Sequence, residues 1–329
     1  MNNNTEAINI LCATDNNYAP YCGIMLTSLF ESNKKSTFEV YVLVDGIMSD
    51  VNEKKYKELE KKYGSSIALM TVDNRMLEKC PINQNNDIDN HSWVTKPTYY
   101  RLLAAELLPQ SVRKVIYLDC DIVVDGDIRP LWDTDLTGKA IAGIADCDGE
   151  GNCTRMGYSK QDGYFNAGVA VYNLEYWRNN NTTEAFFDYI KANGSKLLLM
   201  DQDVVNGVLH DKKQWLSERF NFQVSFFDPL FWEGYSESYR DTIVSECNKA
   251  VVLHYCGALK PWDFRYYGCP FYTVWNKYRK MSLWPKSKIT KPLNKYVKSM
   301  VKEILFPKSL KRKRQAVWTV FSENEFCFE

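Results

Sequence analysis

The sequence lacks the two features that direct a chain out of the cytoplasm or into a bilayer. Its first six residues are polar, without a basic segment leading into an apolar one, so we expect no secretory signal. No run approaches the ~18 apolar residues of a membrane-spanning helix. The ten cysteines include no C-x-x-C pair. In an unexported chain we expect them to be reduced, mostly as small core residues. These absences predict a cytoplasmic protein.

Two further absences concern partners and chemistry. The net charge is zero, with 41 basic and 41 acidic residues, so the field of the whole molecule points to no partner. No G-x-x-x-x-G-K-[ST] loop is present, which weakens the case for a phosphate-loop enzyme. Length and the 45% hydrophobic content allow one large core with an appendage.

The charge is unevenly distributed, because residues 286–314 carry a net charge of +10 and the rest of the chain −10. Apolar residues between Leu293 and Leu305 recur at helical spacing and form one stripe. A basic amphipathic helix of this kind, followed by a second basic cluster and two aromatic residues, predicts that residues 286–321 bind an anionic membrane and not nucleic acid. The alternative, a helix packed on the core, fits the stripe equally well.

Strand and helix patterns alternate along most of the chain. Apolar segments at Ile8–Ala13, Phe38–Val44 and Ile67–Val72 read as strands, with helices between them. This alternation predicts an α/β domain with a largely parallel sheet. We place the catalytic domain at residues 1–270 and an aromatic and basic C-terminal region at 271–329. Further helices are predicted at Gly23–Glu31 and Thr98–Leu108, a flexible lid at Asp146–Gly163, and a long irregular loop at residues 73–95.

Asp119 and Asp121 directly follow the apolar strand Val115–Leu118. Ligands of open α/β sheets bind beyond the carboxyl ends of the strands. Two carboxylates at i and i+2 on an extended segment project to the same side, so they can share one divalent ion. Oxygen ligands favour Mg²⁺ or Mn²⁺. Other D-x-D pairs occur in the chain, and the alternative is an acidic turn without a metal.

His254 ends another apolar strand, so it would reach the same edge of the sheet as Asp121. A neutral imidazole is an acceptable Mn²⁺ ligand. Gly257 allows close approach of a ligand to the backbone, and Lys260 can place a positive charge on a phosphate. The alternative makes His254 a packed residue at a strand end and Lys260 a surface lysine.

Four further polar residues are candidates for the same cleft. Asp201 and Gln202 lead into an apolar helix, where helix capping is the alternative role. Asn166 precedes a strand and would face the cleft, or would simply stabilise a turn. Arg101 lies on a predicted helix, where a surface salt bridge is the alternative.

In their order and spacing these segments resemble family 8 of the glycosyltransferases, which includes bacterial lipopolysaccharide glucosyl- and galactosyltransferases. The resemblance spans residues 8–262. Each segment alone is unspecific, and the combination is specific. The segments are ATDNNYAPY, YYRLLAAELLP, KVIYLDCDIVVDGDIRPLWDTDL, YFNAGVAVYNLEYW, MDQDVVNG, RFNFQ and HYCGALKPW.

The resemblance implies a GT-A fold, a nucleotide-diphospho-sugar transferase fold with a Rossmann-like mixed sheet flanked by helices. It implies Asp119, Asp121 and His254 as ligands of Mn²⁺ or Mg²⁺. It implies retaining transfer of glucose or galactose from a UDP-sugar to an acceptor glycan, lipopolysaccharide or another cell-surface or lipid-linked carbohydrate, at the inner face of the membrane. It also implies a donor site built from Ala13, Asp15, Asn17, Tyr18, Arg101, Asp119, Cys120, Asn166, Gly257 and Lys260.

The resemblance places Gln202 and Asp201 beside the donor sugar as the catalytic residues. An amide is a poor nucleophile, so we favour front-face attack with Gln202 as the group that stabilises the oxocarbenium-like carbon, and Asp201 as the alternative nucleophile. Two other functions stay open on the sequence alone. One is a nucleotidyl- or phosphoryl-transferase with a carboxylate metal site, and the other is a non-catalytic protein that binds UDP-sugars. The loop before Arg101 varies within the family, so the acceptor is not implied.

Overall fold

The computed structural model of the chain describes residues 6–46, 48–77, 80, 97–257, 260–263 and 271–287. The strands are β1 Ile8–Thr14, β2 Phe38–Val44, β3 Ser66–Thr71, β4 Lys114–Leu118, β5 Ile122–Val124, β6 Ile141–Ala145, β7 Phe165–Asn173, β8 Lys213–Trp215, β9 Phe222–Gln223 and β10 Val252–His254. The helices are α1 Ala19–Ser32, α2 Asp50–Tyr63, α3 Pro97–Tyr100, α4 Ala104–Leu107, α5 Arg129–Trp132, α6 Gly149–Met156, α7 Leu174–Asn179, α8 Thr182–Asn193, α9 Met200–Leu209, α10 Pro229–Trp232, α11 Glu237–Cys247 and α12 Tyr272–Met281.

A seven-stranded mixed sheet forms the centre of the protein, with the order β3-β2-β1-β4-β7-β6-β8. β7 is antiparallel to both of its neighbours, while β1 is parallel to β2 and to β4. Alternate residues of β1 enter different cores: Ile10 and Cys12 pack with α1 and α2, and Leu11 packs on the opposite face. Both faces of the sheet are therefore covered, which explains the continuous apolar strands.

A second, three-stranded sheet places side by side the two segments that carry the predicted metal ligands. Its order is β5-β10-β9, and β10 is antiparallel to β5 with His254 opposite Ile122. The backbone N–H of Tyr255 also donates to the carbonyl of Asp121 (2.9 Å). This register brings the end of β10 to the turn that follows β4. The sequence predicts that His254 and Asp121 meet at one edge of a single sheet. The structure brings them together, but His254 belongs to the second sheet and reaches Asp121 through the antiparallel pairing of β10 with β5.

Several predicted boundaries differ from the structure. α1 begins at Ala19, one turn before the predicted start, because Pro20 occupies the first turn, where its missing N–H costs nothing. The predicted helix Thr98–Leu108 is divided by a 3₁₀ turn at Arg101–Leu103, where the guanidinium of Arg101 donates to the carbonyl of Thr98 (3.2 Å). Asn166 lies within β7 and not before it.

The segment Asp146–Gly163, which the sequence predicts as a flexible lid, contains helix α6. Gly157 ends this helix with φ of 80°, a left-handed conformation that glycine adopts without a steric penalty. Glycine and aspartate mask the helical pattern here because they favour turns when considered one by one. The helix forms one wall of the cavity described below.

Residues 271–287 pack against the domain that precedes them. Helix α12 lies on α1, and its residues Val274, Trp275 and Tyr278 are buried. Beyond it, the indole N–H of Trp284 donates to the side-chain oxygen of Asn52 (2.9 Å). The division proposed at residue 270 stays a prediction. The contacts of α12 and Trp284 make residues 271–287 part of the same folded body as α1 and α2.

Trp284 fits against helix α1 only because residue 23 is glycine. A Cβ atom on Gly23 would lie well inside contact distance of the Trp284 ring. We expect Gly23→Ala to lower the free energy of unfolding by about 1–3 kcal/mol, the usual cost of overpacking a core. In a Trp284→Ala background the same change should be neutral or stabilising, because alanine is the better helix former by ~1 kcal/mol.

Urea unfolding of the two single variants and the double variant measures this coupling. Gly234→Ala is the matched control, since a Cβ there meets only the carbonyl of Phe231 at 3.4 Å. Equal effects of Gly23→Ala in both backgrounds would contradict the packing of Trp284 described above.

Among the residues that the structure describes, no helix combines the length and apolar character needed to cross a bilayer. The predicted amphipathic stripe from Leu293 to Leu305 and the basic cluster at residues 311–314 lie outside the described part of the chain. Most of the predicted long loop at residues 73–95 also lies outside it.

Candidate active site

A cavity of about 760 Å³ opens at the carboxyl ends of β1 and β4. It lies where the order of the central sheet reverses, the usual position of a ligand site in such folds. All but one of the predicted site residues line it. They are Ala13, Asp15, Tyr18, Arg101, Asp119, Cys120, Asp121, Asn166, Asp201, Gln202, His254, Gly257 and Lys260. Asn17 is the exception, because its side chain is exposed outside the cavity.

Asp119, Asp121 and His254 offer one ligand atom each, and these atoms lie within 4.8 Å of one another. The Nε2 atom of His254 is 3.4 Å from the Oδ1 atom of Asp121. Two carboxylates and one imidazole suit a Mn²⁺ or Mg²⁺ ion, and three protein ligands leave positions open for a substrate. The donor set therefore fits a divalent metal.

The hydrogen bonds behind His254 fix which nitrogen of its ring carries the proton. Asp146 can only accept, so the amide nitrogen of Asn166 faces it at 3.0 Å. The amide oxygen of Asn166 then accepts from Asn221 (3.0 Å), and the oxygen of Asn221 accepts from Nδ1 of His254 (2.9 Å). Nε2 of His254 is left with a lone pair directed at the carboxylates, as a metal ligand requires.

Gly168 gives His254 and Asp119 the space to approach each other. A Cβ atom at this position would overlap Cε1 of the histidine and would lie 2.8 Å from Oδ2 of Asp119. The Gly168 carbonyl also accepts from the backbone N–H of Asp119 at 2.9 Å, which fixes the start of the D-x-D turn. Any larger residue at 168 would therefore displace two of the three ligands.

Lys260 donates to Oδ2 of Asp121 and to the carbonyl of Tyr255, so its ammonium lies beside the ligand cluster. Burial opposes ionisation of Asp121. The positive charge of Lys260 and its hydrogen bond to the carboxylate outweigh that effect and hold the pKa of Asp121 well below its ordinary value. The carboxylate is therefore ionised throughout the physiological range, and the ammonium is positioned to meet a phosphate.

Arg101 is buried between two carboxylates and is not a surface residue. Its Nη2 donates to Oδ1 of Asp119 at 2.7 Å, and its Nε lies 2.8 Å from Oδ2 of Asp201. One guanidinium thus serves two acids. Burial raises the pKa of Asp201 to about 7, although Arg101 acts in the opposite direction. Arg101 links the metal-ligand turn to the start of α9.

Gln202 also lines the cavity, and two hydrogen bonds fix its amide. Its nitrogen donates to Oδ2 of Asp146 (3.1 Å), and its oxygen accepts from the N–H of Ala167 (3.0 Å). An amide oxygen has two lone pairs, so one remains for a group in the cavity. Asp146 therefore holds both Gln202 and Asn166.

The predicted nucleotide side of the cavity is lined by aromatic and backbone groups. The ring of Tyr18 meets Tyr21 and Trp262 edge-on, with centroids 5.6 and 5.8 Å away. Oδ1 of Asp15 accepts from the N–H of Tyr18 at 2.7 Å, and the thiol of Cys120 donates to the carbonyl of Ala13 at 3.2 Å. These contacts shape a turn whose aromatic face is available to a planar base.

A sequence profile of glycosyl transferase family 8 matches residues 9–265. The chain belongs to glycosyl transferase family 8. General stress protein A of Bacillus subtilis is 30% identical over 82% of this chain and 96% of its own length. The lipopolysaccharide 1,3-galactosyltransferase of Salmonella typhimurium is 26% identical over 80% of this chain and 75% of its own.

Solved structures agree with the family assignment. The galactosyltransferase LgtC, solved in complex with donor and acceptor sugar analogues, superposes with a TM-score of 0.71 at 25% identity, over 84% of this chain and 96% of LgtC. LgtC has also been solved as a glutamine-to-glutamate active-site mutant, which superposes with a TM-score of 0.73. The chain is thus a glycosyltransferase, and the predicted mixed α/β fold is confirmed.

Sequence reasoning missed three residues of this family 8 site. Asp146 follows strand β6, and its place at the carboxyl end of a strand was a usable signal. Asn221 lies in the RFNFQ segment, where no local pattern marks it as the partner of His254. Gly168 lies inside a strand, where an isolated glycine suggests close approach of another group.

Proposed function

We propose that this family 8 glycosyltransferase moves glucose or galactose from a UDP-sugar to an acceptor glycan and retains the anomeric configuration. The observation that carries the proposal is the convergence of Asp119, Asp121 and His254 in a single cavity that Gln202 also lines. The lipopolysaccharide galactosyltransferase among its relatives supports a hexose donor and a lipopolysaccharide-like acceptor.

Asp119, Asp121 and His254 would hold Mn²⁺ or Mg²⁺. A bound ion of this kind supplies positive charge that stabilises a departing diphosphate. Lys260 adds a second positive charge at the same point, and Gly257, with φ of 85°, lets the backbone approach the phosphates. Asp15 and Tyr18 would bind the uridine, with Cys120 and the carbonyl of Ala13 beneath it.

Gln202 is the better candidate for stabilising the reacting carbon, and Asp201 is the weaker candidate for a nucleophile. Asp201 is buried, is bonded to Arg101 and has a pKa of about 7, so part of it stays protonated and unreactive at neutral pH. Gln202 is held rigidly with a lone pair to spare. The active-site mutant of LgtC changes a glutamine, which supports a glutamine in this role. Arg101 and Asn166 would hold the sugar hydroxyls between these groups.

The test measures UDP release from UDP-glucose and UDP-galactose in the presence of Mn²⁺, with and without candidate acceptor glycans. We expect turnover of one of the two donors, and an α-linked product by NMR. A β-linked product would contradict the retaining mechanism. UDP-sugar binding without any UDP release, in every acceptor mixture, would contradict the proposed donor.

We further propose that the enzyme associates peripherally with the inner face of the cell membrane through residues 286–321, because a lipid-linked acceptor would lie there. Each basic residue near an anionic surface contributes ~1 kcal/mol. Replacing the four residues of the basic cluster by glutamine in the full-length chain should therefore weaken binding to phosphatidylserine-containing vesicles by about three decades. UDP-hexose hydrolysis should be unchanged. The four residues are Lys311, Arg312, Lys313 and Arg314.

A vesicle co-sedimentation series at increasing salt measures this effect. The matched control replaces four exposed lysines elsewhere by glutamine and should bind vesicles normally; they are Lys35, Lys54, Lys57 and Lys61. Equal loss in the control, or binding that ignores salt, would contradict the membrane role. A lowered melting temperature of the cluster variant would favour a tail packed on the core.

A further inference from the structure

A buried ion pair connects helix α6 to the beginning of α9. None of the metal-binding, donor-binding or catalytic roles proposed above involves this ion pair. Nη1 of Arg155 lies 2.9 Å from Oδ2 of Asp203, and Nη2 lies 2.5 Å from Oδ1. The Asp203 side chain is fully buried, while Arg155 is mostly buried and lines the cavity. Parallel double contacts of this kind fix geometry as well as charge.

Asp203 joins four segments of the chain. Besides Arg155, its carboxylate accepts from the hydroxyl of Tyr164 (2.6 Å) and from the backbone N–H groups of Leu198 (2.8 Å) and Leu199 (2.9 Å). A carboxylate offers about four acceptor sites, and these donors occupy them all. Asp203 is therefore a saturated structural group and not a reactive one. Its bonds hold the turn that leads into Asp201 and Gln202.

The turn before Asp201 has an unfavourable backbone conformation, so contacts with other segments must maintain it. Met200, which directly precedes Asp201, has φ of 49°, a left-handed conformation that is unfavourable for a residue with a side chain. Such a conformation persists only when the surroundings impose it. Two kinds of contact hold Met200 in this conformation. The preceding residues Leu198 and Leu199 are bonded to Asp203, and the sulfur of Met200 accepts from the Tyr99 hydroxyl (3.3 Å).

We propose that Arg155 is a positioning residue for the transfer reaction, acting through Asp203. By holding this carboxylate in place, Arg155 fixes the strained turn at Met200 and thereby the direction of the Gln202 amide and the Asp201 carboxylate. The same ion pair holds α6 against the cavity. The proposal rests on the proposed role of Gln202 and identifies Arg155 as the residue that keeps Gln202 correctly oriented.

The test uses the full-length enzyme with Mn²⁺ and measures UDP release from UDP-hexose without an acceptor. In Arg155→Gln we expect kcat to fall by about a hundredfold, the effect of misplacing a reacting group by 1 Å. The Kd for UDP, measured by calorimetry, should stay within about twofold, because the nucleotide and metal residues lie elsewhere in the cavity. Arg155→Lys keeps the positive charge but loses the paired N–H donors of the guanidinium. Its kcat should lie between that of the parent enzyme and that of Arg155→Gln.

Lys160→Gln is the matched control. It removes another ion pair of α6, between Lys160 and Glu150 at 3.0 Å, but there both partners are exposed. We expect its kcat to equal that of the parent enzyme. Asp203→Asn should reproduce the loss seen in Arg155→Gln, and the double variant should be no worse than either single variant, because both act through one contact.

Additive losses in the double variant would mean that Arg155 contacts substrate directly, and would overturn the proposal. So would an unchanged kcat in Arg155→Gln, or a fall in UDP affinity parallel to the fall in kcat. Gln202→Ala, measured alongside, separates the two hypotheses. If Gln202→Ala is inactive and Arg155→Gln is active, the positioning role fails alone. If Gln202→Ala is fully active, the proposed role of Gln202 fails.

Discussion

Alanine at position 119, 121 or 254 is expected to abolish metal-dependent turnover of the UDP-sugar in a protein that still folds. Each of Asp119, Asp121 and His254 supplies one of three ligand atoms within 4.8 Å of one another. An ion that stabilises a leaving diphosphate contributes several kcal/mol, so we expect kcat/KM to fall by about three decades or more. UDP release in metal-limited buffer measures activity, and the electron paramagnetic resonance signal of Mn²⁺ measures binding of the ion.

Asp133→Ala is the control for these three variants. It removes one acid from another D-x-D pair, Asp133 and Asp135, whose side chains are exposed. It should leave both activity and Mn²⁺ binding unchanged. Near-normal turnover in any of the three ligand variants, once free metal is limiting, would show that the residue is not a ligand.

The second large effect is expected from Gln202→Ala. An oriented polar group that acts in the transition state contributes ~2.7–4 kcal/mol, so kcat should fall by two to three decades while KM for the donor changes little. The structure supports this division, because Gln202 is not one of the three candidate metal ligands and its amide is fixed by Asp146 and Ala167. Steady-state kinetics with UDP-glucose and UDP-galactose measure both constants.

Gln214→Ala offers a comparison at an exposed glutamine and should behave as the parent enzyme does. A parallel rise in KM would mean that Gln202 binds the donor in its ground state. Isolation of a glycosyl ester on Asp201 by mass spectrometry would replace front-face attack with a covalent mechanism.

Sequence alone predicts those parts of the fold in which the local pattern of apolar and polar residues is enough to identify the element. The strand Phe38–Val44 is predicted to the residue because its apolar run is bounded by polar turns on both sides. The sequence also predicts that Asp121 and His254 meet, but the structure brings them together through the antiparallel pairing of β10 with β5 in a second sheet, which the sequence does not reveal. Helix α6 was not predictable, since its glycines and acids favour turns in the local sequence. A contact that holds it, between Arg155 and Asp203, joins residues 48 positions apart.

The groups that orient the site also escaped prediction, for a related reason. Asn221 and Asn166 are separated by 55 positions, and their mutual bond depends on the meeting of β7 with the segment before β9. Nothing in either local sequence identifies the partner. Residue chemistry therefore indicates which groups can bind a metal, while long-range contacts decide how those groups are oriented.

The chain of amides between His254 and Gln202 has a consequence for redesign of the enzyme. Its hydrogen bonds run in one direction, from the histidine through Asn221 and Asn166 to Asp146, and Gln202 donates to the same carboxylate. An acid in place of either asparagine would keep its acceptor oxygen but lose its N–H donor, so two oxygen acceptors would face each other at that point. Such a change should disturb the proposed metal ligand His254 and the proposed catalytic residue Gln202 together, so laboratory evolution toward a new sugar should begin with cavity residues outside this line.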